Sequence, residues 1–124
     1  VNIVKKNDLS PLESKHGEII YELIGRAGGE TTERHSIAHV VIPPGKSSRF
    51  HFHPEAEESY YMISGQARFV LVGESTIIGP GHTVLIPPNK SHQIINIGSE
   101  DLEFLAICVP AWEPANSIYL DDLE

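Results

Sequence analysis

The sequence predicts an all-β fold, a sandwich or barrel of short strands. Three observations lead there. Apolar runs of strand length, rich in Val and Ile, recur along the chain. Gly and Pro turn signals separate them at regular intervals. No stretch carries a convincing helical period. Neither an internal repeat nor a low-complexity linker interrupts the 124 residues, so one domain over 1–124 is expected, long enough to bury a core.

The elements follow in order. Residues 1–17 are mixed and polar, with Ser10-Pro11 as a breaker. Residues 18–24, Glu-Ile-Ile-Tyr-Glu-Leu-Ile, predict a first strand, and the three glycines of 25–32 a loop. A strand over 35–42 is stopped by Pro43-Pro44-Gly45. Phe50 and Phe52 alternate with His51 and His53, so the two phenylalanines are expected on the opposite face. Strands are expected over 58–63 and 66–72, joined at Gly65, then a hairpin loop at Gly73-Glu74-Ser75 and a brief strand over 76–78. Gly79-Pro80-Gly81 turns the chain into a strand over 83–86, which Pro87-Pro88-Asn89 stops. A strand over 91–97 places His92, Ile94 and Asn96 on one face. Residues 102–109 form the last clear strand, and Trp112 and Pro114 begin an irregular tail ending in Asp121, Asp122 and Glu124.

Charge narrows the partners. A formal charge of −8 with no Lys/Arg cluster argues against nucleic acid and anionic membrane surfaces. Nothing approaches the roughly 18 apolar residues of a membrane span. Val1–Lys6 lacks the apolar core of a signal peptide, and the single Cys108 allows no internal disulfide, so a reducing, cytoplasmic setting is expected. Asn89-Lys90-Ser91 is formally a glycosylation sequon, but carries no weight without a secretory signal.

The chemistry concentrates in residues 45–65. In a strand, His51 and His53 share a face with Cα atoms about 7 Å apart, and their rings can converge on one ion at bond lengths of about 2 Å. A returning strand with Glu58 could add a carboxylate, and His92 is the best remaining candidate for a fourth ligand. Gly45-x5-His51-x-His53-x4-Glu58-x6-Gly65 matches the first cupin motif at its defining positions. Gly81-x5-Pro87-x-Asn89-x2-His92-x3-Asn96 resembles the second. It departs only at Asn89, where the family usually has glycine. Asn is the non-glycine residue most at ease in a left-handed turn, so the fold expectation stands.

This resemblance implies a small jelly-roll β-barrel of two antiparallel sheets and four metal ligands, His51, His53, Glu58 and His92. Three imidazoles and a carboxylate suit one divalent transition metal, Fe, Mn, Ni, Zn or Cu, and leave one or two positions open. Glu57 and Glu58 face opposite sides of a strand. Only Glu58 has the motif spacing, with Glu57 as the fallback ligand. Arg49 shares the alternation of the histidines. It either faces the site and favours an anionic ligand or pairs at the mouth with Glu55 or Glu57. Tyr60 either offers its hydroxyl as a proton donor or packs the barrel. Asn96 is expected to tie a turn, Cys108 to be buried and inert, and His16, His35, His39 and His82 to lie outside the site.

Proteins resembling this one include dioxygenases, isomerases, lyases and non-catalytic binders. The expectation is therefore a metal-dependent enzyme acting on a small chelating molecule, with oxygenase and isomerase or lyase chemistry unresolved. The alternatives are a cupin that holds metal or ligand without turnover, and a metal-free barrel used as an assembly unit. A homodimer is also expected, residues 18–24 offering a sheet edge to a second copy.

Overall fold

The computed structural model describes residues 1–123, with side chains through Asp121; Glu124, the end of the acidic tail, lies outside the described residues. The strands are β1 (Leu12–Glu13), β2 (Ile19–Gly25), β3 (Glu30–Thr31), β4 (Ser36–Ile42), β5 (His51–Phe52), β6 (Glu57–Ser64), β7 (Ala67–Leu71), β8 (Glu74–Ile78), β9 (Thr83–Ile86), β10 (His92–Asn96), β11 (Leu102–Val109) and β12 (Ile118–Tyr119). They form two sheets. The larger runs β1-β2-β4-β11-β6-β9, with β3 beside β2, and the smaller runs β12-β5-β10-β7-β8. Pairing is antiparallel except for β2 with β3, and the two sheets do not join into one closed ladder. This is consistent with the jelly roll that the cupin resemblance implies.

Alternation places the core between the sheets. Ile42, Met62, Ile94, Leu102 and Phe104 are all fully buried. Each such side chain contributes about 1.5–3 kcal/mol relative to exposure. Polar or exposed residues take the intervening positions of β6, where Glu57, Tyr61 and Ile63 face outward.

Three strands escape sequence reading. β1, β3 and β12 have two residues each, too few to show a period. The hairpin expected at Gly73-Glu74-Ser75 is tighter. Leu71 pairs with Glu74, leaving Val72 and Gly73 as the turn, both with positive φ (47° and 80°). That is the two-residue geometry whose twist matches the strands it joins, and β8 therefore starts at Glu74 rather than Thr76. Asn89 adopts the left-handed conformation expected of it, φ 66°, and its backbone N–H donates to the His53 carbonyl at 2.7 Å.

Asn96 ties its turn as expected. Its amide donates to Ile42 O and Glu100 O, both at 2.8 Å, and its Oδ1 accepts from Gly98 N–H at 2.8 Å. The edge expected at residues 18–24 is covered by the chain itself. β1 pairs with Ile19 and Ile20, β3 with Ile24 and Gly25, and Gly29 N–H donates to Glu22 O between them. No helix among the described residues is long and apolar enough to cross a membrane.

Candidate metal centre

β5 and β10 lie side by side, and their register sets His51 directly opposite His92. His53 follows β5 by one residue and returns to the same face. Glu58 arrives from β6, in the other sheet, so the cluster bridges the sandwich. The ring centroids of His51 and His92 are 4.3 Å apart, and those of His51 and His53 are 5.0 Å apart. One nitrogen from each imidazole and one Glu58 oxygen all fall within 4.8 Å of one another, and all four residues are buried. The sequence placed these residues together, and the fold does so.

Each imidazole is oriented from behind. Nδ1 of His51 lies 2.7 Å from Arg49 O, and Nδ1 of His92 lies 3.0 Å from Lys90 O. Nδ1 of His53 lies 3.2 Å from Asn116 O and 3.1 Å from Ser117 Oγ. A carbonyl only accepts, so each Nδ1 carries the proton and Nε2 presents a lone pair. Glu58 Oε1 then faces His92 Nε2 at 3.2 Å and His53 Nε2 at 3.4 Å. His53 Nε2 is buried without a hydrogen-bond partner of acceptable geometry.

Lone pairs so placed repel unless a positive charge, proton or metal cation, sits among them. This donor set fits a divalent transition metal, with the backbone carbonyls as the supports that metal-binding histidines use. Titration agrees. Burial, with His92 nearby, pushes His51 down to about 4, the neutral form a ligand needs. Burial alone would raise Glu58, but the His53 and His92 imidazoles beside it outweigh that and hold the carboxyl below its usual range. Burial would lower His53, yet Glu58 raises it.

Beside the cluster opens a cavity of about 80 Å³ that Glu18, Glu22, Arg49, Tyr60 and Tyr119 help to line. Arg49 does not pair with Glu55 or Glu57 as one reading had it. Its Nη2 donates to Asp121 Oδ1 at 2.9 Å, and its guanidinium stacks 3.8 Å from the Tyr119 ring. Asp121 also meets His16 Nε2 at 3.1 Å. The C-terminal segment therefore folds over the mouth, where the sequence showed only an irregular tail.

Of the two readings of Tyr60, barrel packing is the one the fold displays. Tyr60 packs in the core against Phe104, with centroids 4.6 Å apart, and also lines the cavity. Burial and then the Glu58 charge keep its hydroxyl protonated well above the usual range. Cys108 is buried, and burial pushes its thiol up to about 12. His39 pairs with Glu103 at 3.2 Å, away from the cluster, and His82 Nδ1 accepts from Gly79 N–H at 3.0 Å.

The residue that sequence reading missed is Glu18. It lines the cavity, and burial, reinforced by the Glu58 charge, raises its carboxyl to about 8. A signal existed: Glu18 and Glu22 share the face of Ile20 in a period-two strand.

Residues 38–108 match the Cupin domain family. The chain belongs to the cupins. An uncharacterised protein of Methanocaldococcus jannaschii is 30% identical over 91% of this chain and 90% of that protein. The glucose-6-phosphate isomerase of Thermococcus kodakarensis is 33% identical, covering 75% of this chain and 56% of the isomerase. Among solved structures, the Lactobacillus farciminis oxalate decarboxylase in complex with formate is 28% identical. It superposes with a TM-score of 0.81 over 94% of this chain and 35% of that one. This cupin thus spans only part of the two named enzymes, whose names differ in chemistry.

Proposed function

We propose that this cupin is a metal-dependent enzyme acting on a small chelating molecule, with His51, His53, Glu58 and His92 holding one divalent transition metal. The observation that carries the reading is the convergence of buried lone pairs beside a cavity. A plain binding site for an ion would not need that cavity, which supports a small molecule beside the ion over bare metal storage. When bound, the ion would supply a Lewis acid or an oxygen-binding centre at its open positions.

The chain's own residues do the rest. The carbonyls of Arg49, Lys90 and Asn116 fix the rings, so little reorganisation accompanies substrate entry. Tyr119 and the Arg49–Asp121 pair cover the mouth and limit water. Glu18, protonated near neutral pH, can hold or release a proton at the cavity wall. Tyr60 supplies a neutral hydroxyl beside Glu58.

The test is bound metal, read by elemental mass spectrometry on untagged protein purified without metal-affinity resin. About one transition metal per chain is expected, lost in both His51→Ala and His92→Ala. No metal in the wild type, and none taken up on reconstitution, would sink the enzyme reading.

A further inference from the structure

The cavity wall beyond the metal cluster is apolar along β4 and β11, and β2 adds the carboxyls of Glu18 and Glu22 on either side of Ile20. The inward faces of β2, β4 and β11 present Ile20, Ala38, Val40, Phe104, Ala106 and Cys108 to it. The register explains the hollow. Ala38 of β4 stands directly opposite Ala106 of β11, and Ala106 is also opposite Tyr60 of β6. Two facing alanines leave space that larger side chains would fill.

Hydrogen-bonding capacity along the β4 and β11 side of this wall is low, and on β2 Glu22 Oε2 is already engaged by Ala27 N–H. Ser36 Oγ already accepts from Trp112 N–H at 2.9 Å. The Cys108 thiol is neutral and a weak donor. A polyhydroxylated ligand would bury the hydroxyls that lie against β4 and β11 without partners, at a cost for each. Size points the same way. At about 10–15 Å³ per water-sized group, 80 Å³ holds between about five and eight heavy atoms, fewer than a phosphorylated hexose carries.

Charge sets the last constraint. A divalent ion with the Glu58 carboxylate leaves one net positive charge. Arg49 adds none, because Asp121 offsets it. The Glu18 and Glu22 carboxyls add either nothing or negative charge. A monoanion therefore brings the buried site to neutrality, and a dianion overshoots it.

We infer that the ligand is a monoanionic chelating acid with a short apolar tail, such as a 2-oxo or 2-hydroxy acid of about four or five carbons. The inference rests on the metal reading proposed above. The head would chelate the ion, and the tail would lie against Ala38, Ala106 and Val40. This class differs from both oxalate, which has no tail, and a sugar phosphate, which is dianionic and polar.

The experiment is calorimetric titration of metal-loaded protein with pyruvate, 2-oxobutyrate, 2-oxovalerate, oxalate and glucose 6-phosphate. Each affinity is divided by that acid's affinity for the free aqueous ion. Normalised affinity is expected to rise about fourfold per added methylene, with 2-oxovalerate above oxalate and glucose 6-phosphate. In Ala38→Leu, which fills the hollow, the rise should vanish while metal content stays at the wild-type level. Ala38→Val, a smaller intrusion, should reduce the rise by an intermediate amount. A flat or falling series on metal-replete wild-type protein overturns the inference and leaves the metal reading standing. Protein that takes up no metal overturns both, and the elemental analysis separates the two failures before any titration.

Discussion

His53 is held from two directions, by regions built on different principles. On one side is the ladder. β5 fixes the chain just before His53, β10 sets His92 opposite His51, and the Asn89 N–H pins the His53 carbonyl at 2.7 Å. On the other side is the C-terminal segment, where Asn116 O and Ser117 Oγ meet His53 Nδ1. The same segment supplies Tyr119 and Asp121 to the mouth. The first region is held by a regular sheet. The second is attached by a two-residue strand, one backbone bond from Leu120 N–H to Phe50 O at 2.9 Å, and the Arg49–Asp121–His16 contacts. Ladder positions therefore define the centre, and the segment tunes it and controls access, since weakly attached elements open first.

The largest break in that contrast comes from the ladder side. Glu58→Ala removes the one anionic donor and leaves three neutral imidazoles, so metal affinity should fall by more than about 100-fold, beyond the range typical of supporting residues. Competition with a chromogenic chelator measures it. Retention of wild-type affinity would mean that the ion, if any, sits elsewhere.

A change in the segment should act more mildly. Ser117→Ala deletes one of two partners of His53 Nδ1 and leaves the Asn116 carbonyl at 3.2 Å. Metal affinity should drop about tenfold, the low end for a supporting hydrogen bond, with the stoichiometry unchanged in the same chelator assay. An effect as large as that of Glu58→Ala would erase the distinction between the two regions.

The same contrast explains what could be read from the chain. His51, His53 and Glu58 fall within eight positions, and His92 opens a strand with its own alternating pattern, so spacing and period sufficed to group them. The sandwich, the turns at Gly45, Gly65 and Asn89, and the role of Asn96 were legible for the same reason. The covering segment was not. Ser117 meets His53 across 64 positions, and Asp121 meets Arg49 across 72. No local pattern encodes such pairs, and an acidic residue near a terminus normally signals solvent. Arg49 was left between facing the site and sitting at the mouth, and for the second reading its partner was sought among the neighbouring glutamates. Glu18 was overlooked because a strand-initiating glutamate looks exposed until β4 and β11 close the cavity around it.

Glu18 offers a pH-dependent probe that bears on neither anchoring region directly. Its carboxyl titrates at about 8 in the folded chain against 4.5 when free. The folded state binds the proton more tightly, so the contribution is most favourable below about 4.5 and is lost as pH rises through about 8. Metal-free wild type should melt lower at about pH 9 than at about pH 6, and Glu18→Gln should narrow that gap by roughly 5 °C. Scanning calorimetry of the metal-free forms reads it, without an ion's charge competing with that of Glu58. An unchanged gap would place Glu18 in solvent.

The smallest expected effect sharpens the comparison most finely, because it concerns the neighbour of a ligand. Glu57 and Glu58 are adjacent on β6, opposite Val109 and Cys108 of β11, and successive strand residues face opposite sides. Glu57 is exposed, and Glu58 is 6% exposed. Glu57→Ala should leave metal content at the wild-type level and shift stability by less than about 0.5 kcal/mol, as surface changes usually do. Elemental analysis and a urea melt suffice. If metal were lost in Glu57→Ala and kept in Glu58→Ala, β6 would have to sit one residue out of register, moving its whole inward face to solvent. Met62 and Tyr60 are buried in the core from that same face, so such a slip would expose both, and the apolar packing that fixes β6 is also what selects Glu58 over its neighbour.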